Sequence, residues 1–460
     1  MNGSNYDKYD LTRGGIAAKL LQVALPIMGM QFTQMAYNLT DMFWLGRLGS
    51  DAVAATGAAG MYLWLSFGFL LVGRMGAEIG VAQSLGRGDK REALAYSQNS
   101  LVLGLFLGVL FGMVMLLFPE RLAGFFNFKE GVVARDCAVY IFTVAPAMPL
   151  TFVSGVIMGT FTACGNSRTP FILNGAGLAL NMVLDPALIL GAGMGVRGAA
   201  LATAASQALV ALLLLTGICR FKNRPFGSYF FRFGIDKQKL RRILAWSVPV
   251  ALESIFFCFL SMVTSRIEAS FGAQAVAAGK LGSQLESLTW LIGGGFCSAL
   301  ISFTGQNYGA GKTDRVRRGV RFSVAFMGVW GTMVSLLLFF AGKTIFRIFL
   351  PDPEMVALGA SYLRIFAFCQ LAMCLEGTAS GAFKGMGKTI PPSVVSIVTN
   401  LTRPVLALIL SRTGLGIYGV WIAVTITANV RGIWICLWYY FWGGKLPALR
   451  PVSGKQKARE

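Results

Sequence analysis

Apolar runs of about 20 residues, long enough to cross a bilayer as a helix, recur along the whole 460-residue chain. They are read at 22–46, 52–80, 96–118, 136–161, 170–190, 198–218, 246–268, 275–303, 322–342, 358–382, 391–411 and 416–442. Charged residues make up 13% of the chain, against roughly 25% in a soluble globular domain. That is too little polar surface to coat soluble domains, so an all-α polytopic membrane protein of twelve transmembrane helices is expected. The eight cysteines are scattered through or beside the apolar runs and show no metal spacing, which reads as small buried hydrophobes. The first residues are polar and the first apolar run carries no cleavage motif, so no cleavable signal peptide is expected.

The net charge of +21 invites a nucleic-acid partner, but the distribution of charge excludes one. With the N-terminus inside, 27 of the 41 Lys and Arg fall in cytoplasmic segments, 8 in outer segments and 6 within spans. This is the positive-inside asymmetry, with both termini cytoplasmic in a cell membrane. The richest basic stretch, between spans six and seven, divides the chain. The expected organisation is an N-lobe at 1–218, a basic linker at 219–245, a C-lobe at 246–442 and a tail at 443–460.

The two halves repeat. "DAVAAT" at 51–56 returns as "QAVAAG" at 274–279, "QSLGRGDK" at 83–90 as "QNYGAGKT" at 306–313, and Pro26 as Pro249, all at a single offset along the chain. "GNSRTP" and "GMGKTIP" follow at nearly the same offset. Six spans per half is an even number, so both halves enter the membrane in the same direction. Parallel repeats of this kind belong to alternating-access transporters.

Ionisable side chains inside spans are costly and face a cavity or a partner. Asp41 in span one, Asp185 in span five and Thr203 in span six each lie about five residues from the outer end. That places all three at one depth, roughly 7–8 Å below the outer end at 1.5 Å per residue. Asn181, one turn before Asp185, shares its helix face, and Pro186 frees a carbonyl nearby. Carboxylates, an amide oxygen and a hydroxyl are hard ligands, suited to Na⁺ or a proton as a coupling ion. A hydrogen-bonded clamp between helices is the alternative. No other cofactor is expected.

The second half carries no acid at the matching positions: Asp41 becomes Thr264, and "NLTRPVLALIL" carries Arg403. Its own charges are Glu253, Glu286 and Glu376, with Lys280 and Arg266. Depth matching pairs Glu268 with Lys280 across a hairpin, and four-residue spacing pairs Arg74 with Glu78 along span two. Gln34, Tyr37, Asn38, Glu253, Lys280, Glu286, Glu376 and Arg403 are the substrate-cavity candidates. With no histidine, P-loop, metal spacing or nucleophile motif, no enzyme is expected and ATP hydrolysis is not the energy source.

Several stretches together resemble the multidrug and toxic compound extrusion (MATE) transporters over nearly the whole length. They are "LPIMGMQFTQMAYNLTDMFWLGRLGSDAVAATG" with its repeat "VPVALESIFFCFLSMVTSRIEASFGAQAVAAG", then "GVAQSLGRGD", "GQNYGAGK", "GTFTACGNSRTP" and "GAFKGMGKT". The resemblance implies a V-shaped pair of six-helix lobes. It also implies secondary active export of drugs against inward Na⁺ or H⁺, by a monomer that meets membrane lipids and small amphipathic, cationic drugs. In the DinF-like branch the N-lobe ion site is an aspartate in span one, N-x-x-x-D in span five and a threonine in span six. Here these match Asp41, Asn181 with Asp185, and Thr203. The NorM-like branch uses acids in spans seven and ten, where Glu253 and Glu376 lie. Arg266, Lys280 and Arg403 leave open a lipid-linked or anionic amphiphilic substrate.

Overall fold

In the computed structural model, residues 9–126, 128, 131–220, 226, 229, 234–349 and 352–443 are described. Among them there is no strand. The helices are α1 Ile16–Gly46, α2 Ser50–Gly86, α3 Lys90–Leu117, the short α4 Pro119–Gly124, α5 Gly131–Val144, α6 Met148–Ala163, α7 Arg168–Pro186 and α8 Gly195–Arg220. They continue as α9 Lys237–Ala269, α10 Ala273–Gly309, α11 Thr313–Phe349, α12 Pro353–Ala367, α13 Gln370–Gly385, α14 Ile390–Leu410 and α15 Ile417–Gly443. Eleven helical stretches are long and apolar enough to cross a membrane, and α12 with α13, bent by 44°, makes a twelfth. The twelve-span, all-α expectation therefore holds.

Two spans are broken, for different reasons. Between α5 and α6 the chain makes a 3-10 turn at Ala145–Ala147, where Pro146 and Pro149 cannot donate a backbone N–H. The bend between α12 and α13 has no proline. There Gln370 Nε2 and Cys369 Sγ both donate to the Phe366 carbonyl, at 3.1 and 3.2 Å, and compete with the backbone for that acceptor.

The described chain forms two compact units. One takes Gln22–Ala251 with the residues up to Leu11, the other Leu252 onward with Thr12–Leu21. The division falls inside α9 rather than in the basic stretch at 219–245. Much of that stretch (221–225, 227–228 and 230–233) and the tail from 444 lie outside the described residues. Phe226 and Tyr229 are buried in the core of the first unit, where Tyr229 OH meets Ser97 Oγ at 3.0 Å. Asn99 Oδ1 accepts the Asp236 backbone N–H at 2.8 Å, which fixes the approach to α9.

The backbone repeats more faithfully than the side chains do. Gly49 and Gly272 precede α2 and α10 with φ of 116° and 100°, and Gly88 and Gly311 follow those helices with φ of 80° and 72°. Packing at one interhelical contact is kept with its halves exchanged. A Cβ on Gly80 would lie 2.6 Å from the Tyr96 ring, and one on Gly319 2.2 Å from the Phe303 ring. Gly80 and Phe303 are equivalent at the repeat offset, as are Tyr96 and Gly319. The ring fills the same gap from opposite helices, so contact is kept where identity is not.

A second repeated contact is between backbones. A Cβ on Gly198 would stand 2.7 Å from the Leu188 carbonyl, and one on Gly419 2.6 Å from the Leu410 carbonyl. Both carbonyls belong to the turns at Ala187–Gly191 and Ser411–Leu415, or to the residue before them, where the helix widens to π geometry. A main-chain atom cannot swing aside, so Gly198→Ala is expected to cost about 1–3 kcal/mol. It should lower the thermal unfolding midpoint of the purified protein, whereas Gly175→Ala, where a Cβ meets open space, should not.

Candidate functional site

Pro26 leaves the Gln22 carbonyl of α1 without its helical partner. Ser167, at the start of α7, donates to that carbonyl at 3.3 Å and to the Val23 carbonyl at 2.8 Å. One turn on, the Phe171 ring sits where a Cβ on Gly29 would come to 3.1 Å. The carbonyls bonded by Ser167 around Pro26 and the missing side chain at Gly29 bring α1 and α7 together, and both helices then run to the same cluster.

Asp185 is fully buried, Asn181 and Thr203 are buried, and Asp41 is half-buried. With the Asn181 amide oriented to satisfy both of its atoms, Nδ2 donates to Asp185 Oδ2 at 2.8 Å and Oδ1 accepts from the Thr203 N–H at 3.2 Å. Tyr37 OH lies 3.2 Å from Thr203 Oγ1. Tyr140, on α5 and also buried, brings its hydroxyl to Thr203 as well, close enough to feel Asp41 and Asp185. Asp41 and Asp185 interact with each other. Oδ1 of each aspartate is buried and accepts no hydrogen bond.

Among the described residues no ion pair to either aspartate is formed. Arg47, less than two turns beyond Asp41, is exposed, and its guanidinium lies 4.9 and 5.1 Å from the Phe43 and Trp44 ring centres. Among the described residues no group of three or more His, Cys, Asp or Glu gathers to hold a metal. The cluster has two carboxylates, an amide and hydroxyls around two free oxygens. That donor set, hard oxygens with two carboxylates, suits a monovalent cation or a proton.

Of the three span-one candidates, Tyr37 joins this cluster, while Gln34 Nε2 donates to Asn38 Oδ1 at 3.3 Å on an exposed face. In the second unit the charges pair in ways the sequence did not indicate. Glu253 Oε2 takes Ser393 Oγ at 3.0 Å and Lys384 Nζ at 3.4 Å. Glu376 Oε2 takes Arg431 Nε at 2.8 Å. These four charges line one cavity of about 270 Å³ with Phe257 and Trp290, whose rings lie 5.7 Å apart. Glu286, Lys280 and Arg403 do not line it.

Arg403 is buried and its Nε donates to Thr427 Oγ1 at 3.2 Å. Lys280 and Arg266 are exposed. The expected Glu268–Lys280 pair does not form. Glu268 turns instead toward Trp421 and Glu286, because depth along two helices does not fix the direction in which each side chain leaves its axis. The Arg74–Glu78 pair is present at 3.8 Å. Sequence reasoning missed Tyr140, Lys384, Ser393 and Arg431. Only Tyr140 left a signal: carried forward by the repeat offset, it falls on the position next to Tyr362.

The chain is 27% identical over 454 residues to the "Probable multidrug resistance protein NorM" of Thermotoga maritima, covering 97% of this chain and 96% of that one. It is 27% identical over 450 residues to the "FAD transporter" of Shewanella oneidensis, covering 93% and 95%. A solved structure described as the outward-facing conformation of a multidrug resistance MATE family transporter of the MOP superfamily superposes with a TM-score of 0.89. It shares 21% identity and covers 97% of this chain and 99% of that one, a likeness of fold. The MatE family profile matches residues 26–187 and 249–409, one match in each half of the repeat. With twelve membrane-capable segments and both halves of the profile, the chain belongs to the MatE family and is a membrane transporter, not an enzyme.

Proposed function

We propose that this chain is a secondary active multidrug exporter that works by cation/drug antiport, with Na⁺ or H⁺ as the coupling ion bound at Asp41, Asn181, Asp185 and Thr203. The observation that carries this reading is the pair of aspartates with a buried, unpartnered oxygen each and no base beside them. Two carboxylates held out of water without a counter-charge cost several kcal/mol, and a bound monovalent cation offsets that cost. The relative named for multidrug resistance supports drugs as the cargo.

The coupling runs through α1. Asp41 sits on the part of α1 beyond Pro26, and Ser167 holds the carbonyls before that proline with hydroxyl bonds that can be exchanged for water. Binding a cation at Asp41 and Asp185 pulls α1 toward α7 and α8, and this shift lowers the affinity for drug. Linkage requires the converse: bound drug lowers affinity for the cation by the same factor. Alternating access of the two repeats by rocking then carries one outward and the other inward. One charge crossing 100 mV supplies about 2.3 kcal/mol, and its concentration gradient adds to that. The protein acts as a monomer in the cell membrane with both termini cytoplasmic. The cavity at Glu253 and Glu376 is the drug site, with acids for a cationic group and the Phe257–Trp290 pair for an aromatic body.

The second reading is export of lipid-linked or anionic amphiphilic substrates. It draws on Lys384 and Arg431 in the same cavity and on the relative named as a FAD transporter. The test is efflux of a fluorescent organic cation from proteoliposomes under an imposed Na⁺ gradient or an imposed pH gradient. Efflux under one gradient and not the other is expected, and it names the ion. No efflux under either, with transport of an anionic amphiphile instead, would replace the first reading by the second.

A further inference from the structure

A second group of acids in the second unit, Glu286 and Glu268, does not line the cavity. Glu286 lies about 20 Å along α10 from Ala273, and is 6% exposed. Its Oε1 is buried and accepts no hydrogen bond. Glu286 faces the Tyr362 hydroxyl from α12 and the Glu268 carboxylate from α9. Tyr362 reaches it because Gly282, one turn earlier on α10, has no side chain: a Cβ there would lie 2.3 Å from the ring.

Trp421 of α15 is fully buried and its indole lies against the Glu268 carboxylate. A Cβ built on Gly279 would be 3.5 Å from Glu268 Oε2 and 4.0 Å from Trp421 Nε1, so the indole N–H turns toward the same acids. The remaining titratable neighbour is Cys369, at the bend between α12 and α13. From α11 come Val334, Leu338 and Phe346, all apolar. Lys280, on the same helix as Glu286, is exposed and does not pair with Glu268. Two carboxylates thus face tyrosine, tryptophan and cysteine, with no base among their interacting neighbours.

The repeat supplies an independent pointer. Tyr140 and Tyr362 stand within one position of equivalence in the two halves, and each brings its hydroxyl to a buried carboxylate cluster in its own unit. The two clusters differ in donor chemistry. Around Asp41 and Asp185 there are amide and hydroxyl oxygens that can ligate a metal cation. Around Glu286 there are the Tyr362 phenol and the Cys369 thiol, with the Trp421 indole N–H against Glu268; beyond the two carboxylates only the phenol oxygen is a hard ligand, fewer than the amide and hydroxyl oxygens of the first cluster. A proton needs only one.

The geometry points to Glu286, with Glu268 as its relay toward water, as a proton-binding site of the second unit, distinct from the Asp41–Asp185 cluster. The proton comes from water by way of Glu268, which is half-buried near the end of α9, and resides on Glu286 as a carboxylic acid. Its binding removes one of two buried negative charges. For its transport consequence alone this inference rests on the antiport reading. There a proton is exchanged in the second unit whichever ion the first unit takes.

The test is infrared difference spectroscopy of the purified full-length chain between high and low pH, with no substrate and no gradient. Wild type should show a carboxylic-acid C=O band of which about one carboxyl per chain is missing in Glu286→Gln and present in Asp185→Asn. Saturating Na⁺ should leave that band in place. Identical bands in wild type and Glu286→Gln, or loss of the band on adding Na⁺, would overturn the proposal. If Glu286→Gln does not fold, Glu286→Asp keeps the acid and must shift the band, and an unshifted band is equally fatal. In proteoliposomes Glu286→Gln should lower the number of protons exchanged per substrate by one. The spectroscopic result stands or falls without any transport, so failure of the exporter reading is told apart from failure of this one.

Discussion

Asp185→Asn will reduce gradient-driven efflux to background while leaving the protein monodisperse and folded. The fold survives because the new amide keeps the shape of the carboxyl and still offers an oxygen to Asn181 Nδ2, now 2.8 Å from Asp185 Oδ2. What disappears is charge. A hydrogen bond or ligand contact to an ionised group contributes about 1.5–3 kcal/mol more than nothing in its place, which is roughly 10- to 150-fold in cation affinity. Losing the charge also removes the repulsion between Asp41 and Asp185, and with it the reason for the cluster to take up a cation at all. The variant should still bind drug if the cavity proposed for it, in the second unit, is the drug site, but should no longer release it when the gradient is imposed. Asp41→Asn should behave alike. Tyr37→Phe, which removes only a hydroxyl bonded to Thr203, should weaken coupling by a few-fold. Normal efflux by either aspartate variant would place the coupling site elsewhere.

The aspartate cluster was legible in the sequence because acids are so scarce in these spans that position along the helix nearly suffices to group them. Rise per residue is fixed, and the ends of the apolar runs give a common reference for depth. Rotation about the helix axis is not fixed in the same way, and this is why Glu268 and Lys280 were matched in depth and then turned apart. The partners of Glu253 and Glu376 were illegible for a related reason. Lys384 and Arg431 arrive from helices far along the chain, and an arginine in an apolar run carries no mark of the acid it will meet. Helix breaks divide along the same line. The one between α5 and α6 is written in two prolines, whereas the one before Gln370 depends on side chains that reach back to the Phe366 carbonyl only once the bend exists. Tyrosines were hardest to place. Tyr140 and Tyr362 look like ordinary aromatic residues until the repeat and the fold put each beside a pair of acids.

Arg431→Leu should destabilise the second unit strongly. Arg431 is buried, and its partner Glu376 has a side chain only 17% exposed. Removing one member of a buried pair leaves the other without a counter-charge, at a cost of about 3–5 kcal/mol. By contrast, Arg317 and Asp314 are 3.8 Å apart with side chains 42% and 85% exposed, and breaking them should cost less than about 1 kcal/mol. Two neighbours temper the loss. Arg403 already interacts with both Arg431 and Glu376, and Lys384 also feels Glu376. Removing Arg431 relieves one repulsion and leaves two bases within reach of the orphaned acid, so the lower end of the range is expected. The double variant Arg431→Leu with Glu376→Gln should recover most of the stability, since it leaves no unpaired charge. The measurement is a double-mutant cycle on thermal unfolding midpoints of the purified protein. A coupling energy near zero, with the double variant as unstable as the sum of the singles, would mean that Arg431 stabilises the second unit by packing against α13 rather than by holding Glu376.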